Sequence, residues 1–270
     1  SVLYMYKFLT RISSEPGRRE NNEDECTALR IGGNTYLLAI ADGIGGKEGG
    51  EIASKIVISS VSEYFTDTFK NYTSEINLKG SLEEAFLIAQ STILDYIGNS
   101  PGLKGMGTTL TILLLDNKKY VWGNIGDSRL YLIQNDGAKL ITTDHTHIAA
   151  YLKGGGEVLP QKVMDQYKNI ITRIVDGGND KPDIYPLEAE SSLLQEDDIF
   201  LLCSDGLIVD KTIDLSHNFS QILKKNIPLA EISDSLIKWA LSNGSDDNIS
   251  VVLGAYTETN EMEDMWNDYL

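Results

Sequence analysis

Apolar residues change their spacing several times along this chain, and each change marks an element. Val2 to Ser13 mixes β-branched, aromatic and polar residues in a strand pattern. Pro16 to Asp24 is polar and charged, which predicts a loop. Thr35 to Ala41 is nearly continuous in apolar side chains and ends at Asp42-Gly43, so a buried strand should meet a turn there. Gly43, Gly45, Gly46, Gly49 and Gly50 then crowd together and predict a tight turn before a helix. Ile52, Ala53, Ile56, Val57, Ser60, Val61, Tyr64 and Phe65 recur at helical spacing. Ser81 with Glu84 has the form of a capping box and predicts the start of a second helix, whose apolar face runs from Leu82 to Ile97.

The middle of the chain changes period. Thr108 to Asp116, Lys119 to Ile125 and Ser128 to Gln134 are β-rich runs separated by turn residues, a spacing that favours antiparallel meanders. Residues 142 to 190 read as irregular, punctuated by Gly154-Gly155-Gly156 and Gly177-Gly178. Their length and glycine content suit a functional loop. Asp198 to Ser204 is a strand ending at Asp205-Gly206, Leu229 to Leu241 a helix, and Ile249 to Tyr256 a last strand. No repeat, low-complexity tract or linker divides the chain. One domain over residues 1–257 is expected, with an acidic tail at 258–270.

Composition narrows the function. The chain has 270 residues, of which 41% are hydrophobic and 23% charged, an ordinary balance for a folded domain. Its net charge of −17 weighs against nucleic acid or an anionic membrane surface as partner. Two distant cysteines, Cys26 and Cys203, make no metal-type pattern and suit a reducing, cytoplasmic compartment. The apolar runs are too short to span a membrane, and Ser1 to Thr10 lacks the features of a signal peptide.

Several acids share one context, the end of an apolar strand beside Gly or Asn. Asp42 follows Leu37 to Ala41, Asp127 follows Gly123 to Gly126, Asp205 follows Leu201 to Ser204, and Asp247 precedes the strand from Ile249. A carboxylate at a core strand end is costly unless it is paired or binds metal. If these ends converge they form an oxygen-only cluster, for which Mg²⁺ or Mn²⁺ is the natural partner. Zinc is disfavoured, because His145, His147 and His217 are the only histidines and no Cys/His set accompanies them. His145 and His147 lie in a polar loop and are expected to be solvated. The glycines after Asp42 do not make a P-loop, since Glu48 follows Gly46-Lys47 where Ser or Thr is required; besides a tight turn, such small residues also suit close approach of a backbone carbonyl to a metal.

These residues, in this order, resemble the metal-dependent serine/threonine protein phosphatases, the PPM or type 2C family, in their compact bacterial form. The resemblance runs through Arg19-Glu20-Asn21-Asn22-Glu23-Asp24, Asp42-Gly43-Ile44-Gly45-Gly46, Gly107-Thr108-Thr109, Gly126-Asp127-Ser128-Arg129, Thr143-Asp144-His145-Thr146, Ser204-Asp205-Gly206 and Asp247-Asn248-Ile249-Ser250. It covers roughly residues 2 to 256. It implies an α+β fold, a four-layer α-β-β-α sandwich of two antiparallel sheets flanked by helices, with the metal site at one end. It further implies that Asp42 bridges two metal ions with help from the Gly43 carbonyl, that Glu23 serves the second ion, and that Asp205 and Asp247 serve the first. Asp127 with Asp205 would hold a third, Arg19 would bind the substrate phosphate, and a flap would occupy about 145–190. The implied reaction is hydrolysis of phosphoserine and phosphothreonine in proteins by a hydroxide bridging the two ions. A cognate serine/threonine kinase is implied as partner.

Some positions depart from the family's pattern or leave a role open. Ile44 stands where many members carry Met or His, so no histidine acid is available there. Asp210 is one residue too late to be assigned to metal, and Ser250 replaces the common Thr. Asp24 either contacts metal or metal-bound water, or only anchors its loop. Ser128 and Arg129 are expected to bond around their turn. The alternative is a non-catalytic module of the same fold that binds metal and senses phosphoproteins. A calcium-binding structural protein lacks support, because no EF-hand loop is present.

Overall fold

Alternating side chains decide how this chain layers. The computed structural model describes residues 4–70, 77–134, 136–157, 159–167, 169–187, 189, 191–210, 215–222 and 227–260. Three strands, β1 (Tyr4–Glu15), β2 (Asp24–Gly32) and β3 (Thr35–Ile44), lead into two long helices, α1 (Gly46–Lys70) and α2 (Leu78–Asn99). Strands β4 (Gly107–Thr108), β5 (Leu110–Asp116), β6 (Lys119–Ile125), β7 (Arg129–Gln134) and β8 (Gly137–Leu140) follow. Next come α3 (His147–Lys153), α4 (Gln161–Tyr167), β9 (Asp183–Tyr185), β10 (Ser192–Leu193) and β11 (Ile199–Cys203). The last elements are α5 (Ser216–Ile222), α6 (Leu229–Ser242) and β12 (Ile249–Asn260).

The strands form two sheets. One has the order β1-β12-β11-β7-β8; the other runs β10-β6-β5-β3-β2, with β4 added to β3 and β9 to β6. Every described pairing is antiparallel. Period-two alternation sends successive side chains to opposite faces. On β3, Leu37, Ala39 and Ala41 pack beneath α1 and α2, while Leu38 and Ile40 point into the space between the sheets. On β11, Phe200 and Leu202 meet them there, and Leu201 and Cys203 face α5 and α6. Strands apolar on both faces are therefore the middle layers, and the helices cover them outside. Each fully buried Leu, Ile or Phe contributes on the order of 1.5–3 kcal/mol to this arrangement. The α-β-β-α sandwich follows, and Cys203 is fully buried, as its apolar run predicts.

The structure corrects several local expectations. The second helix starts at Leu78, not at Ser81: Asn77 is its N-cap, and its side-chain Oδ1 accepts from the Gly80 N–H at 2.9 Å. Ser81 and Glu84 lie inside the helix, so their spacing makes no capping box. Asn77→Ala is expected to lower stability by about 1 kcal/mol. Ser81→Ala should change it by less than ~0.5 kcal/mol. Thermal unfolding of the two variants checks this, and equal losses would refute the assignment. Gly46, Gly49 and Gly50 belong to α1 itself rather than to a turn before it. Residues 142–190 are not irregular throughout, since they contain α3, α4 and β9, and neither β8 nor α5 is evident from periodicity. Most of the acidic tail, residues 261–270, lies outside the described residues. Among the described residues no helix is long and apolar enough to cross a membrane.

Antiparallel pairing also explains why acids distant in sequence meet. The end of β3 lies beside the start of β2, and the end of β11 beside the start of β12. Asp24, Asp42, Asp205 and Asp247 sit at or just beyond these ends, and Asp127 in the turn between β6 and β7.

Candidate active site

Asp42 and Asp24 face each other in register on β3 and β2. The Asp42 backbone is held on both sides. Its N–H donates to the Thr109 hydroxyl at 2.9 Å, and its carbonyl accepts from the Thr109 N–H and the Thr108 hydroxyl, each at 2.9 Å. The Thr109 and Ser128 hydroxyls are bonded at 2.8 Å, tying this strand end to the turn that carries Asp127. The Asp42 and Asp205 carboxyls are themselves within hydrogen-bond contact. Thus Asp24, Asp42, Asp127 and Asp205 act on one another at one place.

The glycines around Asp42 are there for contact. A Cβ on Gly43 would lie 2.0 Å from the Gly50 carbonyl oxygen, and one on Gly50 would lie 2.8 Å from Glu23 Oε2. The start of α1 therefore packs directly on the Asp42-Gly43 backbone, and glycine at position 50 leaves room for the Glu23 carboxylate. The Gly43 N–H donates to the Glu23 carbonyl at 3.0 Å, so the Glu23 loop and the Asp42 strand move as one piece.

Arg19 and Asp247 stand at the mouth. The Arg19 guanidinium donates from Nη2 to Asp247 Oδ2 at 3.0 Å and from Nε to the Asp246 carbonyl at 2.7 Å. Its side chain is 53% exposed, and the Asp247 side chain 39%. Asn248, named in the sequence only as part of the Asp247 motif, has a role of its own. Nearly buried, it donates from Nδ2 to the Pro16 and Asn21 carbonyls at 3.0 and 2.8 Å, and its Oδ1 accepts from the Glu23 N–H at 2.9 Å. One amide thus closes the loop carrying Arg19 and Glu23 onto the turn carrying Asp247. Its place next to Asp247, directly before a strand, is the only signal the sequence offers. Asn248→Ala is expected to cut turnover about 10–100-fold while leaving the fold intact. Steady-state kinetics and far-UV circular dichroism test this, and full activity in the variant would refute the clamp.

Electrostatics mark the same place. Burial raises the pKa of Asp42 well above the carboxylate range, reinforced by Asp24, Asp205 and Asp127. Burial, opposed by hydrogen bonds from Ser250 and Ser204, pushes Asp24 up to about 7. Burial also raises Glu23, against the pull of Arg19, and raises Asp247 with help from Asp205. Asp24 Oδ2 accepts from the Ser204 hydroxyl at 2.7 Å, whereas its buried Oδ1 has no hydrogen-bond partner. Buried oxygens of this kind, crowded by like charge, are what hard divalent cations neutralise. Among the described residues no three His, Cys, Asp or Glu side chains close into a cage around one point. The oxygen donors fit the metals the resemblance implies.

One expectation about the neighbouring loop changes and another holds. His145 is not solvated: it is 3% exposed. The Gly126 N–H donates to its Nδ1 at 3.0 Å, so Nε2 carries the proton and donates to Asp183 Oδ2 at 3.0 Å. Burial lowers its pKa, favouring this neutral form. Arg129 and Ser128 do bond around their turn. Arg129 forms a buried two-pronged pair with Asp144, from Nη2 at 2.7 Å and Nε at 2.9 Å, and also reaches the Tyr131 hydroxyl. The turn that presents Asp127 is therefore held from both flanks. Asp210 lies past the short helical turn that begins at Asp205.

Comparison with known proteins agrees with this construction. A family model for protein phosphatase 2C matches residues 14–239. The serine/threonine phosphatase stp of Listeria monocytogenes is 32% identical over 239 residues, 87% of this chain and 90% of that protein. Among solved structures, Stp1 from Staphylococcus aureus aligns with a TM-score of 0.80 at 28% identity, over 92% of this chain and 95% of that one. The catalytic domain of the phosphatase PstP, solved with two manganese ions, aligns with a TM-score of 0.76 at 30% identity, over 94% of this chain and all of that one. With its acids gathered at one end of a two-sheet sandwich and the family match spanning most of its length, this chain belongs to the protein phosphatase 2C family, the metal-dependent serine/threonine protein phosphatases.

Proposed function

We propose that this phosphatase releases phosphate from phosphoserine and phosphothreonine in proteins at the Asp42–Asp205 cluster, with two divalent ions, Mn²⁺ or Mg²⁺, as cofactors. The observation that carries this reading is the direct contact of the Asp42 and Asp205 carboxyls beside Asp24 and Asp127. Asp42 would be shared by both ions, with the Gly43 carbonyl assisting. Glu23 would serve one ion and Asp205 with Asp247 the other, and Asp127 with Asp205 offers a place for a third. When bound, such ions neutralise the carboxylates and activate water for in-line attack on phosphorus, without a phosphoenzyme.

The chain's own residues supply the rest. Arg19 stands exposed at the mouth, tethered by the Asp246 carbonyl, and its planar guanidinium suits two charge-assisted hydrogen bonds to a phosphate. Asn248 fixes the loop that carries it. Ile44 offers no proton, and His145 is committed to Gly126 and Asp183, so the leaving alkoxide takes its proton from water. Phosphoproteins as substrates presuppose a cognate kinase. Two free cysteines suit a reducing, cytoplasmic setting. The non-catalytic sensing module is not favoured, since every acid of the implied site is present.

The test is hydrolysis of an aryl phosphate and of a phosphothreonine peptide, first with Mn²⁺ and then with chelator. Both substrates should be turned over only with metal. Arg19→Ala should lower kcat/KM about 10–100-fold, the worth of one charged hydrogen-bonding group. Activity indifferent to chelator would overturn the reading.

A further inference from the structure

The segment beside the site carries a second cavity that the phosphoryl chemistry does not use. Its volume is about 300 Å³, and it is lined by His147, Ile148, Tyr151, Leu159, Tyr167 and Ile170. Next to it lies a polar cavity of about 220 Å³, lined by Asn169 together with Asp205, Asp246 and Asp247. Asn169 and Ile170 are consecutive, so a single step along the backbone leads from the carboxylates into the apolar cavity.

The apolar cavity is preformed. Its floor is Ile148, which is 4% exposed. The Thr146 hydroxyl caps α3 by accepting from the Ala149 N–H, and the His147 N–H donates to the Ile170 carbonyl at 3.0 Å, joining the two walls. The Tyr151 ring lies against the backbone of Gly156, where a Cβ would come within 2.3 Å of the ring. Gly156 leaves room for the ring in this position. The rim is apolar yet open: Tyr151, Tyr167 and Ile170 are 43%, 45% and 39% exposed. Contiguous apolar surface around a concavity marks an interaction site.

We infer that this cavity takes an apolar side chain of the phosphoprotein substrate, a few residues from the phosphorylated Ser or Thr. The inference rests on the proposed phosphatase reaction, which fixes the phosphoresidue at Arg19 and the carboxylates. An extended peptide advances about 3.3–3.6 Å per residue, so it crosses Asn169 and reaches the cavity within a few positions. A leucine, methionine or phenylalanine side chain fits the lining. A charged side chain there would lose its water without a partner.

The experiment uses phosphothreonine peptides in which Leu or Asp is placed, one position at a time, on either side of the phosphoresidue, with Mn²⁺ and an aryl phosphate control. One position should prefer Leu over Asp by about tenfold or more in kcat/KM. Tyr151→Ser and, independently, Tyr167→Ser should erase that preference while aryl phosphate hydrolysis stays within about twofold. Absence of any positional preference, or its persistence in both variants, overturns the inference while leaving the phosphatase reading intact. Failure of the wild type to hydrolyse aryl phosphate overturns both. If sedimentation instead shows a dimer that Tyr151→Ser dissociates, with peptide preference unchanged, the cavity belongs to a second copy and the inference is wrong.

Discussion

Asp42→Asn is expected to abolish turnover and, in chelator, to make the protein more stable than the wild type. The two effects have one cause. Asp42 touches the Asp205 carboxyl and is crowded by Asp24 and Asp127, and burial raises its pKa. Without metal this is repulsion that the fold tolerates; with metal it is the means of binding. An amide of the same shape keeps a donor toward Asp205 and spares the chain the proton uptake that burying Asp42 requires on folding. The metal-free protein should gain roughly 1–3 kcal/mol, a rise of a few degrees or more in melting temperature for a chain of this size. Losing a ligand shared by both ions should cost about 4 kcal/mol or more of transition-state stabilisation, roughly a thousandfold in rate. Scanning calorimetry in chelator, Mn²⁺ titration calorimetry and aryl phosphate kinetics measure the three consequences. A variant less stable than wild type in chelator would mean that the carboxylate itself holds the fold together. A variant with normal Mn²⁺ binding would remove Asp42 from the metal site.

Much of this site is legible in the sequence because strand ends announce themselves. An apolar run stopping at Asp-Gly has few explanations, and antiparallel pairing brings such stops to one edge. Asp42 and Asp205 are found this way. Asp24 is harder to read: its identity as a strand residue in register with Asp42 appears only once β2 and β3 are paired. Asn248 was invisible as a clamp, because its three backbone partners lie more than two hundred residues away. His145 is hidden for the same reason: a polar stretch of sequence says nothing about Asp183 and Gly126 closing over the ring.

The fold shows a similar division. Period-two runs gave the two sheets and their layering, since both faces of β3 and β11 are apolar. Ser81-Glu84 misled because a capping pair is informative only at a helix start, and Asn77 begins that helix four residues earlier. The short helices α3, α4 and α5 are each about two turns long, too short for periodicity to separate from loop. The glycines within α1 read as a turn from composition alone. Their purpose, close approach of that helix to Gly43 and Glu23, is a tertiary fact.

The stability of the metal-free protein should fall as pH rises from 6.5 to 8, and Mn²⁺ should reverse that slope. Burial pushes Asp24 up to about 7 against 3.8 for the free carboxyl, and lifts Asp42 well above the ordinary carboxylate range too. A group with a raised folded pKa holds a proton in the native state that the unfolded chain has already lost. Its contribution is complete below the unfolded value and disappears as pH climbs through the folded one. Burial acts oppositely on His145, whose lowered pKa makes stability rise with pH, but only up to about its ordinary value of 6.5. Asp183 is also opposed in sign: burial raises it, but hydrogen bonds from His145 and Arg173 outweigh that and lower it, so its contribution is lost only in acid, below 3.8. Above 6.5 the cluster acts alone, and the loss to pH 8 should be on the order of 1–3 kcal/mol. Divalent ions bind the deprotonated carboxylates of the native state, so their stabilisation grows with pH over the same window. Melting temperatures at four pH values, with chelator and with excess Mn²⁺, decide it. A metal-free curve that rises toward pH 8 would show that these acids are already paired within the fold, and that their crowding is not what draws the metals in.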